Sequence, residues 1–158
     1  MKKILILMCG VLFFATSCLD NGGSAGSSSA TFYGMIVVTD DATGEVAYSS
    51  DEASVDVVIP NIIEAKMDIL FNGVKFAEMM PKINMQLGGL PFVATISEDG
   101  TSMNYVVDAK DVVPTIGGVP YEKYKIDKVE GCVGATVDIR FSLASKGMSV
   151  HFTNAKKE

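Results

Sequence analysis

Six apolar residues near the end of the chain, Val133, Ala135, Val137, Ile139, Phe141 and Leu143, alternate with Gly134, Thr136, Asp138, Arg140 and Ser142. Side chains of a β-strand point alternately to its two faces, so the stretch predicts a single strand with one apolar and one polar side. Ser145-Lys146-Gly147 supplies a turn, after which Met148, Val150 and Phe152 alternate with Ser149, His151 and Thr153. Upstream the same texture recurs in shorter runs. Residues 31–39 are rich in β-branched and aromatic side chains, residues 40–44 read as a turn, and residues 46–48 predict a short returning strand. A separate run over residues 54–59 is stopped by Pro60, and Ala65, Met67, Ile69 and Phe71 alternate with Lys66 and Asp68. Asn72-Gly73 follows, the dipeptide suited to a two-residue hairpin because both residues accept positive φ. Val74, Phe76 and Ala77 continue beyond it, although residues 76–80 also fit one helical turn before Pro81.

Ile83, Met85 and Leu87 alternate with Asn84 and Gln86 until Gly88-Gly89 breaks the run. Phe92, Ala94 and Ile96 lead into a hairpin turn at Glu98-Asp99-Gly100-Thr101, from which Met103, Tyr105 and Val107 return. After Val112-Val113-Pro114 and Gly117-Gly118, residues 121–129 predict a strand with lysines on alternate sites. No run after residue 18 carries an apolar stripe three helical turns long. The pattern therefore predicts an all-β body, a single antiparallel up-and-down barrel of about eight to ten short strands that hides its edges by closing. A two-sheet β-sandwich is the alternative.

The first residues follow a different rule. Lys2 and Lys3 precede an almost wholly apolar run over residues 4–14, then small residues Ala15, Thr16 and Ser17, then Cys18. A basic start, a short apolar segment and a small-residue cleavage site make a secretory signal. The run is about half of the ~20 residues a membrane-spanning helix needs. A cysteine directly after the small residues predicts a lipoprotein leader over residues 1–17, cut before Cys18, with lipid on the Cys18 thiol. More than one acyl chain there makes a durable anchor, because a single chain binds only marginally. Residues 18–30 are expected to hold the lipidated Cys18 and a tether, whose Gly, Ser and Ala run over residues 21–30 predicts a flexible span of roughly 17 Å, and residues 31–158 the barrel domain. Leu19 after Cys18 is not the aspartate of an inner-membrane retention signal, so the expected address is the cell envelope at the outer membrane.

Charge narrows the partners. The formal net charge is −6, and loss of Lys2 and Lys3 with the leader takes it to −8. An acidic surface argues against nucleic acid. Of three cysteines, Cys9 leaves with the leader and Cys18 carries lipid, so Cys132 has no partner for a disulfide and is expected as a small buried residue. The one histidine, His151, falls on the polar face of the last strand, and Asp138 and Arg140 stand two apart as a surface ion pair. Asp40-Asp41 and Asp51-Glu52 lack the spacing of a calcium loop and are expected in turns. No catalytic set, metal site or cofactor is predicted, and the chain is not expected to be an enzyme.

Seven methionines lie beyond the leader, and thioethers either fill core gaps or line adaptable apolar cavities. If the barrel is hollow, Met67, Ile69, Phe71, Met85, Met103 and Tyr105 are its expected lining and a small hydrophobic molecule its ligand. If it is filled, the expected partner is an envelope protein or glycan met through the loops.

Asn72-Gly-Val-Lys-Phe-Ala-Glu-Met-Met-Pro-Lys-Ile83, Gly89-Leu-Pro-Phe92, Val113-Pro-Thr-Ile-Gly-Gly-Val-Pro-Tyr-Glu-Lys-Tyr124 and the final hairpin together resemble the calycin-like β-barrel family of Bacteroidota lipoproteins. The likeness covers most of residues 31–154. It implies a lipocalin-like antiparallel barrel on a membrane-anchored protein and brings no substrate. Lipocalins proper open on Gly-x-Trp with an arginine packed across the tryptophan. This chain has no Trp, and Phe32-Tyr33-Gly34 and Arg140 are the nearest stand-ins. Two segments also echo each other, Pro81-Lys-Ile83 with Gly88-Gly-Leu-Pro-Phe92 and Pro114-Thr-Ile116 with Gly117-Gly-Val-Pro-Tyr121, which predicts one turn used twice at the start of strands.

Overall fold

The computed structural model describes residues 27–154. The expected leader, Cys18 and most of the tether lie outside the described residues. The described chain forms ten strands: β1 (Ser28–Asp40), β2 (Val46–Asn61), β3 (Lys66–Val74), β4 (Ile83–Ile96), β5 (Met103–Val112), β6 (Thr115–Ile116), β7 (Val119–Pro120), β8 (Ile126–Val133), β9 (Val137–Leu143) and β10 (Met148–Thr153). Among the described residues no helix is long and apolar enough to cross a membrane.

Eight strands pair antiparallel around a ring, β1-β2-β3-β4-β5-β8-β9-β10. The ring closes where β1 meets β10, from Met35 opposite Thr153 to Asp40 opposite Met148. Strands that follow one another along the chain are neighbours in space, so this is the expected up-and-down barrel and not the sandwich. The short β6–β7 hairpin turns at Gly117-Gly118 and lies along the first half of β4, pairing Met85 with Ile116 and Gln86 with Thr115. It occupies the side of β4 that β5 leaves free, since β4 and β5 pair only from Phe92–Val107 to Ile96–Met103.

Alternation decides which residues enter the barrel. Val137, Ile139, Phe141 and Leu143 of β9 and Val150 and Phe152 of β10 are all buried, with their polar partners outside. Every other barrel strand adds to one continuous core. An eight-stranded barrel has an interior just wide enough for side chains to fill or for one small ligand. Here the rings meet across it. Strands β3 and β9 stand on opposite sides of the ring, yet the Phe71 and Phe141 centroids are 5.5 Å apart at an interplanar angle of 69°. Phe152 of β10 approaches Phe71 at 6.2 Å and Phe76 approaches Phe141 at 6.1 Å, both edge-on. Edge-to-face contacts at these separations are favourable for aromatic pairs.

Several elements differ from the expected ones for identifiable reasons. Asn72-Gly73 is not a hairpin turn but a bulge within β3: Phe71 faces Met85 and Val74 faces Ile83, which leaves one extra residue on β3. Gly88-Gly89 likewise does not end a strand; it places an extra residue in β4 between Leu87, opposite Ile69, and Leu90, opposite Met67. Gly73 and Gly89 take φ of 57° and 66°, which glycine adopts without penalty. Each glycine N–H donates to a side chain of the facing strand, Gly73 to Asn84 Oδ1 and Gly89 to Asp68 Oδ1, both at 2.7 Å. Bulges bend a strand and raise its twist, and these let the 14-residue β4 curve from β3 toward β5.

The expected short runs at 46–48 and 54–59 are one 16-residue strand, β2, which carries Asp51 and Glu52 across a bulge opposite Gly34–Ile36. Residues 133–143 are not one strand: Val133 ends β8, Val137 starts β9 opposite it, and residues 134–136 make the turn. β8 begins only at Ile126, after a helical turn at Glu122–Tyr124. β1 begins at Ser28, three residues inside the expected tether, because backbone pairing with Ile59, Val58 and Val57 is available there to any side chain.

Closure leaves little room at Gly34. A Cβ on it meets Thr153 O at 2.4 Å and Asn154 Cα at 2.9 Å, so a side chain there separates β1 from β10. Gly34→Ala is expected to lower unfolding free energy by about 1–3 kcal/mol, the range for overpacking. Phe71→Ala, which removes the ring that bridges the interior, is expected to lower it by about 3–5 kcal/mol. Denaturant unfolding of both variants checks the two figures.

Candidate functional site

Five of the six side chains expected to line a cavity, Met67, Ile69, Phe71, Met85 and Tyr105, point into the barrel and are buried. Met103 sits at one end, half-buried against the core. Met67, Ile69, Phe71 and Met85 have 0% accessible surface, so no void large enough for a water molecule touches them. The β-branched, aromatic and thioether side chains have packed against one another.

Among the described residues no buried side chain is charged, and the charged groups stand on the outside. A shallow groove of about 350 Å³ runs over β5, β8 and β9 between Val106, Asp108, Glu130, Asp138 and Arg140. A second of about 250 Å³ continues over β8, β9, β10 and β1, bordered by Lys128, Ser142, Ser149 and His151, and shares Glu130 and Arg140 with the first. Register creates this face, since Glu130 pairs with Arg140 and Arg140 with His151. The expected Asp138–Arg140 ion pair is present, with Nε 3.3 Å from Oδ1. His151 Nε2 lies 3.1 Å from Asp138 Oδ2, but too obliquely for a hydrogen bond. Lys128 donates to Glu130, which lowers the Glu130 carboxyl below its usual range and raises the lysine above its own. Arg140 points outward and packs across no ring, so it does not play the lipocalin arginine.

Cys132 corrects an expectation. Gly131 and Val133 flank it, Val133 faces inward, and Cys132 therefore falls on the outer face, half-buried beside Asp138. Desolvation, and then the Asp138 charge, push its thiol upward. A thiol held protonated is a poor nucleophile. Of the two acidic pairs expected in turns, Asp40-Asp41 serves one: Asp40 Oδ1 accepts from the Ala42 and Thr43 amides at 2.8 and 3.1 Å, and Asp41 accepts from Ser149 Oγ at 2.6 Å. Asp51-Glu52 lies instead at a bulge within β2. Among the described residues no group of three or more His, Cys, Asp and Glu side chains could hold a metal ion.

The two ends of the barrel differ. At the end where β1 begins, Ser28 stands opposite Ile59, two residues before Asn61. Asn61 caps a helical turn at Ile62–Glu64, its Oδ1 accepting from Ile63 N–H at 3.0 Å. The turn leaves Ile62 43% and Ile63 85% exposed. Ala65 closes it at φ 50°, a left-handed conformation that a non-glycine residue adopts only under strain. The 97–102 turn lies at the same end. The opposite end carries the loops 41–45, 75–82, 113–125 and 144–147, with Met79 95% exposed and Val119 63%. Tyr121 stacks on Tyr124 at 5.2 Å, Lys146 sits 5.7 Å above the Tyr124 ring, and Ser145 Oγ donates to Lys123 O at 2.9 Å, so two of these loops are tied together. Sequence patterning passed over Ile62-Ile63. The signal was an apolar pair directly after Pro60 and a capping asparagine, where a turn between strands is normally polar.

Fold and packing define the class of molecule: a closed eight-stranded up-and-down barrel with a filled interior and an ion-paired outer face. Comparisons with protein-family models, curated proteins and solved structures find no match.

The expected 97–102 hairpin turn is present, and Asp99 holds it. Hydrogen bonds from Ser97, first, and from the Thr101 side chain and backbone keep the Asp99 carboxyl at about 2, against 3.8 for the free group. A carboxylate whose folded value is depressed contributes stability that is complete above its unfolded value and is lost as pH falls toward its folded one. The Asp99 carboxyl carbon should therefore titrate near pH 2 in the folded chain, and Asp99→Asn should remove a stability loss confined to pH below about 4. Carbon-detected NMR titration and acid unfolding of the two chains check this.

Proposed function

We propose that this chain is a lipid-anchored cell-envelope protein of the calycin-like kind that acts, without catalysis, as an interaction module, docking onto an envelope protein or glycan through the loops remote from its anchor. One observation carries the choice: the rings that meet across the barrel, Phe71 on Phe141 above all, leave the interior filled. A small hydrophobic ligand would have to displace side chains already in contact, at the cost of the core they form. The outer surface is then where recognition takes place. The tied loops 113–125 and 144–147 favour docking, because a surface ordered beforehand loses less entropy on binding. Anchoring rests on the leader pattern that ends at Cys18, and the acidic balance of the chain on a partner other than nucleic acid.

The anchor and the filled interior are tested separately. Cys18→Ser is expected to move the chain from the membrane fraction to the soluble fraction, and mass spectrometry of the native chain to find acyl groups on Cys18. A hydrophobic fluorescent probe titrated against the folded chain is expected to show no saturable binding; a stoichiometric, saturable site would return the function to the interior. Photocrosslinking in cells from position 79, at the remote loops, is expected to recover the same protein or glycan repeatedly, and its failure to recover any would sink the docking proposal.

A further inference from the structure

Among the described residues, Ile62 and Ile63 form the one pair of exposed large apolar side chains that is both adjacent in sequence and held outward by a built turn. Three interactions fix the turn: Ile63 N–H to Asn61 Oδ1, Ala65 N–H to Ile62 O at 3.2 Å, and Asn61 Nδ2 to Glu64 Oε1 at 3.4 Å. Phe92 N–H donates to Ala65 O at 3.0 Å, which fastens the turn to β4. Strained backbone at Ala65 and two isoleucines in water are both unfavourable, and while Ala65 packs against the core the two isoleucines stay exposed. Scattered exposed apolar side chains are ordinary, but these two are contiguous and fixed side by side by the turn, and it is contiguous apolar surface that meets another apolar phase.

The course of the chain says which phase. Ser28 lies beside Ile59, so the segment that leads back to Cys18 leaves the barrel next to this turn. Cys18 is ten residues before Ser28, and a chain of that length reaches at most about 36 Å. The loops bearing Met79 and Val119 are at the opposite end. Glu64 and Lys66, which follow the pair, carry opposite charges, and Pro60 and Asn61 before it carry none, so the turn has no net charge to set against a neutral headgroup layer.

We infer that the Ile62-Ile63 turn is a second, shallow membrane contact, in which both side chains sit among the headgroups of a zwitterionic bilayer and orient the barrel with its remote loops away from the lipid. The inference deepens the proposed anchoring at Cys18 and rests on it. A lipid on Cys18 holds the chain to the membrane but leaves the barrel free to turn; a second contact beside the same end fixes which face is presented. Isoleucine suits the task, since it gains from leaving water without needing a hydrogen-bond partner there.

The chain has no Trp, so a single introduced one reports its own surroundings. Ile63→Trp and Met79→Trp both replace exposed side chains and spare the core. Each full chain, isolated from membranes and reconstituted in vesicles of dibrominated phosphatidylcholine, is read by emission wavelength and quenching, and its Cys18 by mass spectrometry. The expected result is a blue shift and strong quenching for Ile63→Trp, with Met79→Trp emission as in lipid-free buffer. Equal emission and quenching at the two positions overturn the membrane contact whatever is on Cys18. A blue shift at position 63 that grows with protein concentration and is not quenched by the brominated lipid also overturns it, in favour of a second copy of the chain. A bare Cys18 with quenching confined to position 63 overturns the lipid anchor alone.

Discussion

A β-sheet in water cannot leave long edges unpaired without inviting other chains to pair with them, and closure by β1 and β10 is the constraint from which the rest of this structure follows. The six pairs between Met35–Asp40 and Met148–Thr153 join the first strand to the last, across almost the whole described chain. Once eight strands are closed, the enclosed volume is fixed by their number and tilt, and side chains must either fill it or leave it for something else. Phe71, Phe141, Phe152 and Phe76 fill it from opposite walls. Gly34 is part of the same solution, because the seam brings Thr153 within reach of any larger residue.

A filled interior leaves the exterior as the surface open to other molecules, and the exterior is not uniform. The walls over β5, β8, β9 and β10 carry ion pairs that are largely satisfied among themselves: Asp138 with Arg140, Glu130 with Lys128. Such exposed pairs contribute little to stability, typically under about 1 kcal/mol each, but they keep the wall wet and poorly suited to nonspecific association. Large apolar groups in contact with water occur on the strands β1, β2, β4 and β5, among them Tyr33, Val93 and Ile96, and also in the connections between barrel strands, Ile62 and Ile63 at one end and Met79 and Val119 at the other.

Most of the fold was legible because alternation is a direct consequence of strand geometry. Val137 to Leu143 and Val150 to Phe152 point where their spacing says, and Met67, Ile69, Phe71 and Met85 enter the barrel as expected. The punctuation was less legible. Asn72-Gly73 and Gly88-Gly89 have the composition of hairpin turns because a turn and a bulge impose the same demand for positive φ. What separates the two is whether a facing strand supplies an acceptor, and Asn84 and Asp68 do so from 11 and 21 residues away in sequence. The face taken by Cys132 was legible in the alternation, since Val133 beside it points inward; the expectation of burial came from residue type alone. Ile62-Ile63 escaped because patterning looks for strands and treats the residues between them as connection.

The two segments that echo each other show how far local sequence reaches. Gly88-Gly-Leu-Pro-Phe92 and Gly117-Gly-Val-Pro-Tyr121 are nearly the same five residues, and they stand close together, since Ile116 pairs with Met85. One is a bulge in the middle of a 14-residue strand; the other is the turn and return of a four-residue hairpin. The difference comes from their surroundings. Phe92 lies between Ala65, which accepts its amide, and Val107, so the chain after Gly89 is held extended on both sides. After Gly118 the returning strand pairs with Ile116 and Thr115, Tyr121 N–H adds one bond to Pro114 O at 2.8 Å, and the strand ends at Pro120. Glycine permits the bend in both places, and the number of partners waiting beyond it determines whether the strand goes on. The same rule explains why residues 28–30, whose composition suits a tether, form strand: Val57, Val58 and Ile59 were there to be paired.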